Sequence, residues 1–201
     1  MSGKRTARKD ESGAVLIEFT VTVFVFLVIL FGLIEFSLAF YQWNAATKAV
    51  QFGARYAAIS DPVLEELPDI DGLAAASPGD AYAGSYDVVC DGSLATPACS
   101  CVGTEFPASL TYVTAAMNNI VTAMQRAYPN ITSKNVKVSY TYTRLGYAGR
   151  PGGPVPTITV SLTGVKFNFI LLSFMLPNSI NMPGLATTVT GEDLKASWSS
   201  S

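Results

Sequence analysis

The sequence predicts an α+β protein: a long N-terminal helix packed on a small extracytoplasmic domain with one further helix and a three-stranded, mostly antiparallel sheet. Three observations predict it. Between residues 14 and 34 lie about twenty residues with a single charge, Glu18, the length a helix needs to cross a hydrocarbon core. An apolar pattern with helical spacing then continues to Ala57, with no proline from Ala14 to Ser60. Further along, the apolar period changes from 3.6 to 2.

Residues 1–13 are short, polar and basic, with Lys4, Arg5, Arg8 and Lys9 crowded together. Followed by an apolar run, they look like the n-region of an export signal. The run is longer than the usual h-region and no small-residue cleavage site follows it, which favours a retained membrane span over 14–41. Basic residues before the span and a long polar region after it place the N-terminus inside and the remainder outside.

Beyond Glu35, the positions Phe36, Phe40, Trp43, Thr47, Val50, Ala54 and Ala57 recur at steps of four and three, one stripe along a helix. Gln42, Asn44, Lys48, Gln51 and Arg55 lie between them, so residues 42–60 are amphipathic where 14–41 is apolar all round. Asp61-Pro62 supplies the stop. The whole helix, residues 14–60, would measure about 65–70 Å. Glu35 falls about 26 Å along it from Glu18, on a different face, and reads as a charge marking the exit from lipid or as a contact with another subunit.

Residues 61–201 form the predicted domain. From Asp61 to Glu105 there are nine acidic residues and no Lys or Arg. Residues 61–106, rich in Pro, Gly, Asp and Ala, read as an extended acidic loop stapled by cysteine, with Val88 and Val89 beginning a short edge strand. The three cysteines, Cys90, Cys99 and Cys101, allow one internal bridge, joining Cys90 to either Cys99 or Cys101. Three thiols without a fourth ligand are weak evidence for zinc. Asp69-Ile70-Asp71-Gly72 has the opening of a calcium loop without its later ligands.

A second helix is expected from Pro107 to Pro129, with Leu110, Val113, Met117, Val121, Met124 and Tyr128 on its apolar face. Val136, Val138, Tyr140 and Tyr142 then alternate with polar residues, as do Ile158, Val160 and Leu162. The Gly/Pro-rich stretch 149–154 makes these an antiparallel hairpin with a long connection. The run 167–176 (FNFILLSFML) is too short to span a bilayer; it reads as buried under the domain or lying at the membrane surface. A last strand is expected over 185–191, and the Ser-rich end frays.

Gly13 is followed five residues later by Glu18 at the head of an apolar helix. With the basic leader, this resembles the processing motif of type IV prepilins. The resemblance implies cleavage after Gly13 by a membrane prepilin peptidase, which leaves Ala14 with a free, then methylated, amino terminus. It also implies that Glu18 pairs with the amino group of an adjacent subunit. Glu18-Phe19, Gly32 with Glu35, and Gly53-Ala54-Arg55-Tyr56-Ala57-Ala58 together look like TadE-like proteins, minor pilins (pseudopilins) of the tight-adherence Tad/Flp type IV pilus. By that resemblance the partners are membrane lipid, the peptidase, the major Flp pilin, sister minor pilins and the inner-membrane assembly platform. The location is the bacterial inner membrane with the C-terminal domain in the periplasm.

Two other function classes compete. An uncleaved signal-anchored protein would use its outer domain to bind a ligand or partner. An exported enzyme finds little support: histidine is absent, and neither a G-x-S-x-G elbow nor a P-loop is present. No catalytic residue, cofactor or metal is expected. With a net charge of −2 there is no footprint for nucleic acid. Asn130-Ile131-Thr132 is a glycosylation sequon with meaning only in a eukaryotic secretory pathway.

Overall fold

The computed structural model describes residues 11–67, 77, 79–80, 85–102, 109–147, 155–171, 173 and 179–191. The basic leader up to residue 10, the Asp69-Ile70-Asp71-Gly72 segment, Pro107, the 149–154 connection and the Ser-rich end lie outside these residues. The chain divides into two compact units, one of Met1–Phe40 with Asn168–Ile180, the other of Tyr41–Phe167 with Asn181–Ser201.

Helix α1 (Glu11–Ala57) runs for 47 residues and contributes to both units. Its continuity follows from the lack of proline and from three hydroxyls that would otherwise compete with its backbone. Thr20, Thr22 and Ser37 each donate to the carbonyl four residues back, at 2.7–2.8 Å, and so need no water.

In the second unit, strands β1 (Asp87–Asp91), β2 (Ala98–Val102), β3 (Val136–Leu145), β4 (Val155–Leu162) and β7 (Leu185–Thr190) form one antiparallel sheet in the order β2-β1-β3-β4-β7. Strands β5 (Lys166–Asn168) and β6 (Ser179–Asn181) make a separate two-stranded sheet. The expected three strands are therefore five plus two. The additional pair in the main sheet, β1 and β2, comes from the region read as a loop. Val88 and Val89 lie in an interior strand between β2 and β3, not at an edge. At five residues each, DVVCD and ACSCV hold too few alternations to stand out by themselves and are specified by their partners.

One face of the sheet is apolar. Val88, Cys90, Val136, Val138, Tyr140, Ile158, Val160 and Leu162 are buried on it. Helix α2 (Thr114–Gln125) contributes Met117, Ile120, Val121 and Met124 to the same core, and the upper part of α1 contributes Ala46, Ala49, Val50, Ala54 and Ala57. The opposite face is wet and laced across strands. Thr143 and Thr157 share a hydrogen bond of 2.8 Å, Thr159 and Thr188 one of 2.9 Å, and Lys137 meets Asp91 at 2.6 Å. Burial would raise the Asp91 carboxyl, but hydrogen bonds from Lys137 and Ser93 and the Lys137 charge hold it below its ordinary range.

Helix α2 begins at Thr114, later than expected, because the preceding residues are extended and paired. Tyr112 bridges to Leu64, and the Val113 amide donates to the Val63 carbonyl at 2.8 Å. The Val63 amide in turn donates to the Tyr140 hydroxyl at 2.9 Å. Tyr140 is fully buried, which pushes its phenol well above the ordinary value although the Val63 donor pulls the other way. Tyr140→Phe would leave that buried amide without its acceptor, at a cost of about 1–3 kcal/mol. Denaturant unfolding of the detergent-solubilised protein should show the loss as a lower midpoint at unchanged slope.

Candidate functional site

The first unit holds the residues that the sequence singles out. Gly13 and Ala14 are exposed near the start of α1, and a β-carbon on Gly13 would meet nothing within 4 Å. Four residues on from Ala14, Glu18 is exposed on the helix surface, and among the described residues its carboxylate has no partner. Phe19 beside it is 68% exposed. From Val15 to Tyr41 a nearly unbroken series of Val, Leu, Ile and Phe side chains faces outward. Leaving each in water costs roughly 1.5–3 kcal/mol relative to burial, so this surface calls for lipid or for other helices. Helix α1 is long and apolar enough to cross a membrane.

The proposed packing stripe divides between environments. Val50 and Ala54 are in the core of the second unit and Trp43 is half-buried, whereas Phe36 is 71% and Phe40 60% exposed. The small residues Ala46, Ala49 and Gly53 complete the buried face. They escape a pattern search that weights large apolar side chains.

Glu35 is engaged by the chain itself. It is 2% exposed, and its Oε1 accepts the Ile170 amide at 2.6 Å and also the adjacent Leu171 amide. The described part of the 167–176 run is thus not buried as a block. Phe167 is buried, but Ile170 points its side chain outward. The sequence holds both halves of this arrangement without the link, because the partners lie 135 residues apart and a backbone amide leaves no signature in the sequence.

Cys90 and Cys99 are joined by a disulfide. They are directly opposed in the β1–β2 register, which brings their α-carbons to 4.0 Å. Cys101, opposite Val88, is free and half-buried. Burial pushes its thiol up, a hydrogen bond from the Asp87 backbone opposes this, and the Asp87 charge raises it further. Because the thiolate is the nucleophile, Cys101 should alkylate more slowly than free cysteine at neutral pH. Its rate should keep rising above the ordinary thiol range, as iodoacetamide labelling followed by intact mass can measure. For the same reason Cys101 is a poor attacker of the neighbouring bridge.

With the helix, its carboxylates and its exposed apolar surface in place, the comparison with known families is decisive for one segment. Residues 13–55 match the TadE-like protein family. The TadE-like segment takes in Gly13, Glu18, Glu35 and Gly53, and ends two residues before α1 does. No curated protein and no solved structure matches the chain. The TadE-like segment therefore spans both an outward-facing apolar part and a part seated in a domain core.

Proposed function

We propose that this chain is a minor pilin, or pseudopilin, of a tight-adherence type IV pilus, acting in pilus initiation, tip formation or assembly for surface adhesion. The observation that carries this reading is the fall of the TadE-like match on the stretch that joins Gly13 to an exposed apolar helix bearing Glu18. In this reading the protein is held in the bacterial inner membrane with residues 1–13 inside and 61–201 in the periplasm. A prepilin peptidase cuts after Gly13 and so removes four cationic side chains that resist passage into the bilayer interior.

Cleavage has a second consequence. It creates an amino group at Ala14, one helical turn from Glu18. When apolar helices pack side by side, sliding costs little, because one methyl group is much like another. A carboxylate buried without a partner costs several kcal/mol, so the stagger that brings Glu18 of one subunit to the amine of the next is selected. Membrane lipid, the peptidase, the major Flp pilin, sister minor pilins and the assembly platform are the partners.

Intact mass or N-terminal sequencing of the membrane-extracted protein tests the reading. From cells with an active prepilin peptidase, the mature chain should begin at Ala14. A chain that keeps residues 1–13 would instead be an uncleaved signal-anchored protein whose outer domain binds a partner.

A further inference from the structure

Glu35 would be a costly residue at the end of an apolar span if its carboxylate served only to mark the exit from lipid. Its surroundings in the first unit say more. The amides of two successive residues, Ile170 and Leu171, converge on one of its oxygens. The Ser173 hydroxyl closes the same turn by donating to the Ile170 carbonyl at 3.2 Å. Backbone groups that usually need water are thereby satisfied within the protein. The side chains on that backbone do the opposite: Ile170 is 73% and Leu171 38% exposed. Internally satisfied backbone with outward apolar side chains is what a nonpolar solvent requires of irregular structure.

The level of this turn along the helix is also informative. Glu35 lies 21 residues after Ala14, which at 1.5 Å per residue is about 30 Å, the thickness of the hydrocarbon core. Around it on α1, Leu33, Ile34, Phe36 and Leu38 are exposed, so Ile170 and Leu171 extend the surface of the apolar helix sideways at its outer end. We propose that residues 169–171 are a second lipid-contacting element, hooked to the outer end of the membrane helix by the Glu35 carboxylate and seated at the headgroup–acyl boundary of the bilayer. Glu35 is then a positioning residue: it holds the turn at the depth where its side chains leave water. The inference rests on the membrane-anchored reading of α1 and goes beyond it, because a single span does not require a second contact.

The test uses the full chain in phosphatidylethanolamine/phosphatidylglycerol vesicles at low protein density. Single cysteines replace Ile29, Ile170 or Lys134 in a Cys101→Ser background, each labelled with an environment-sensitive fluorophore. Nitroxide-bearing lipids and aqueous iodide are the two quenchers. Lipid quenching at Ile170→Cys should lie within about twofold of that at Ile29→Cys and exceed that at Lys134→Cys, on an exposed turn, by about fivefold or more. Adding Glu35→Ala should bring the Ile170→Cys signal down to the Lys134→Cys level, whereas Glu35→Gln, which keeps an acceptor oxygen, should largely preserve it.

Iodide quenching of Ile170→Cys equal to that of Lys134→Cys, while Ile29→Cys remains lipid-quenched, would overturn the inference and leave the membrane span intact. Protection of Ile170→Cys from both quenchers would mean that protein covers the turn, and would overturn it equally. Loss of lipid quenching at Ile29→Cys as well would remove the anchored reading along with it. The Ile170→Cys measurement on otherwise native protein stands even if Glu35→Ala does not accumulate.

Discussion

Glu18→Val should leave the chain cleaved after Gly13 and inserted in the membrane, yet lower its recovery in sheared pilus fractions by about tenfold or more. The separation of the two effects is the substance of the expectation. Glu18 sits on the exposed surface of α1, where among the described residues nothing pairs with it, so its removal takes nothing from the fold of the isolated subunit. Valine also makes the span more apolar, which favours insertion. What changes is the assembled state. In the proposed pilus, with Glu18 present, the correct stagger would neutralise a carboxylate and an amine together, and any other stagger would bury one or both unpaired. With valine in place of that carboxylate, the amine of the neighbour is left buried without its counter-charge, and breaking a buried pair in this way typically costs about 3–5 kcal/mol. Immunoblots of sheared pili against membrane fractions read the ratio directly. Wild-type incorporation of Glu18→Val would remove charge pairing as the source of register.

The parts of this protein that are legible in the sequence are those with a strong period. Helix α1 declares itself through length, apolarity and the absence of proline. Strands β3 and β4 declare themselves through Val136, Val138, Tyr140 and Tyr142 and through Ile158, Val160 and Leu162, all of which are buried on one face. The strands β1 and β2 do not, since five residues of DVVCD and ACSCV hold too few alternations to stand out from a Gly- and Pro-rich surround. Pairing with β3 supplies what their own residues lack. Spacing alone starts α2 too early for a related reason. Leu110 and Val113 fit a helical stripe, but the backbone there is drawn into extended pairing with Val63–Glu65, and tertiary hydrogen bonds override local spacing. The Glu35 hook is invisible in the sequence because one partner is main chain. A carboxylate in an apolar helix signals that some donor must exist, without saying where.

Gly53→Val should destabilise the second unit strongly, with a loss of about 3 kcal/mol or more. Gly53 faces the core between α2 and β4. A β-carbon there would stand 2.7 Å from Met124 Cγ, 2.8 Å from its Sδ and 3.5 Å from Val160 Cγ1. Both Met124 and Val160 are fully buried, so neither has solvent into which to move. Methionine is flexible enough to yield to a single methyl, and Gly53→Ala should therefore cost less, about 1–2 kcal/mol. Valine adds two further methyl groups and a stiff χ1, which rotation of Met124 cannot accommodate. Thermal unfolding in detergent should fall by several degrees for Gly53→Ala and by roughly 10 °C or more for Gly53→Val. Shortening the obstacle with Met124→Ala should recover part of the loss in the Gly53→Val background, although the same change alone is destabilising. Equal melting of Gly53→Val and wild type would show that α1 is not seated on α2 at this point. The consequence reaches past stability. The TadE-like match runs through Gly53, so one continuous stretch carries the outward apolar surface for membrane or filament and the small residues on which the domain is seated. Within the second unit, the small side chains of Ala46, Ala49, Gly53, Ala54 and Ala57 let the upper part of α1 approach the core closely, which is why one added side chain at Gly53 is felt so strongly.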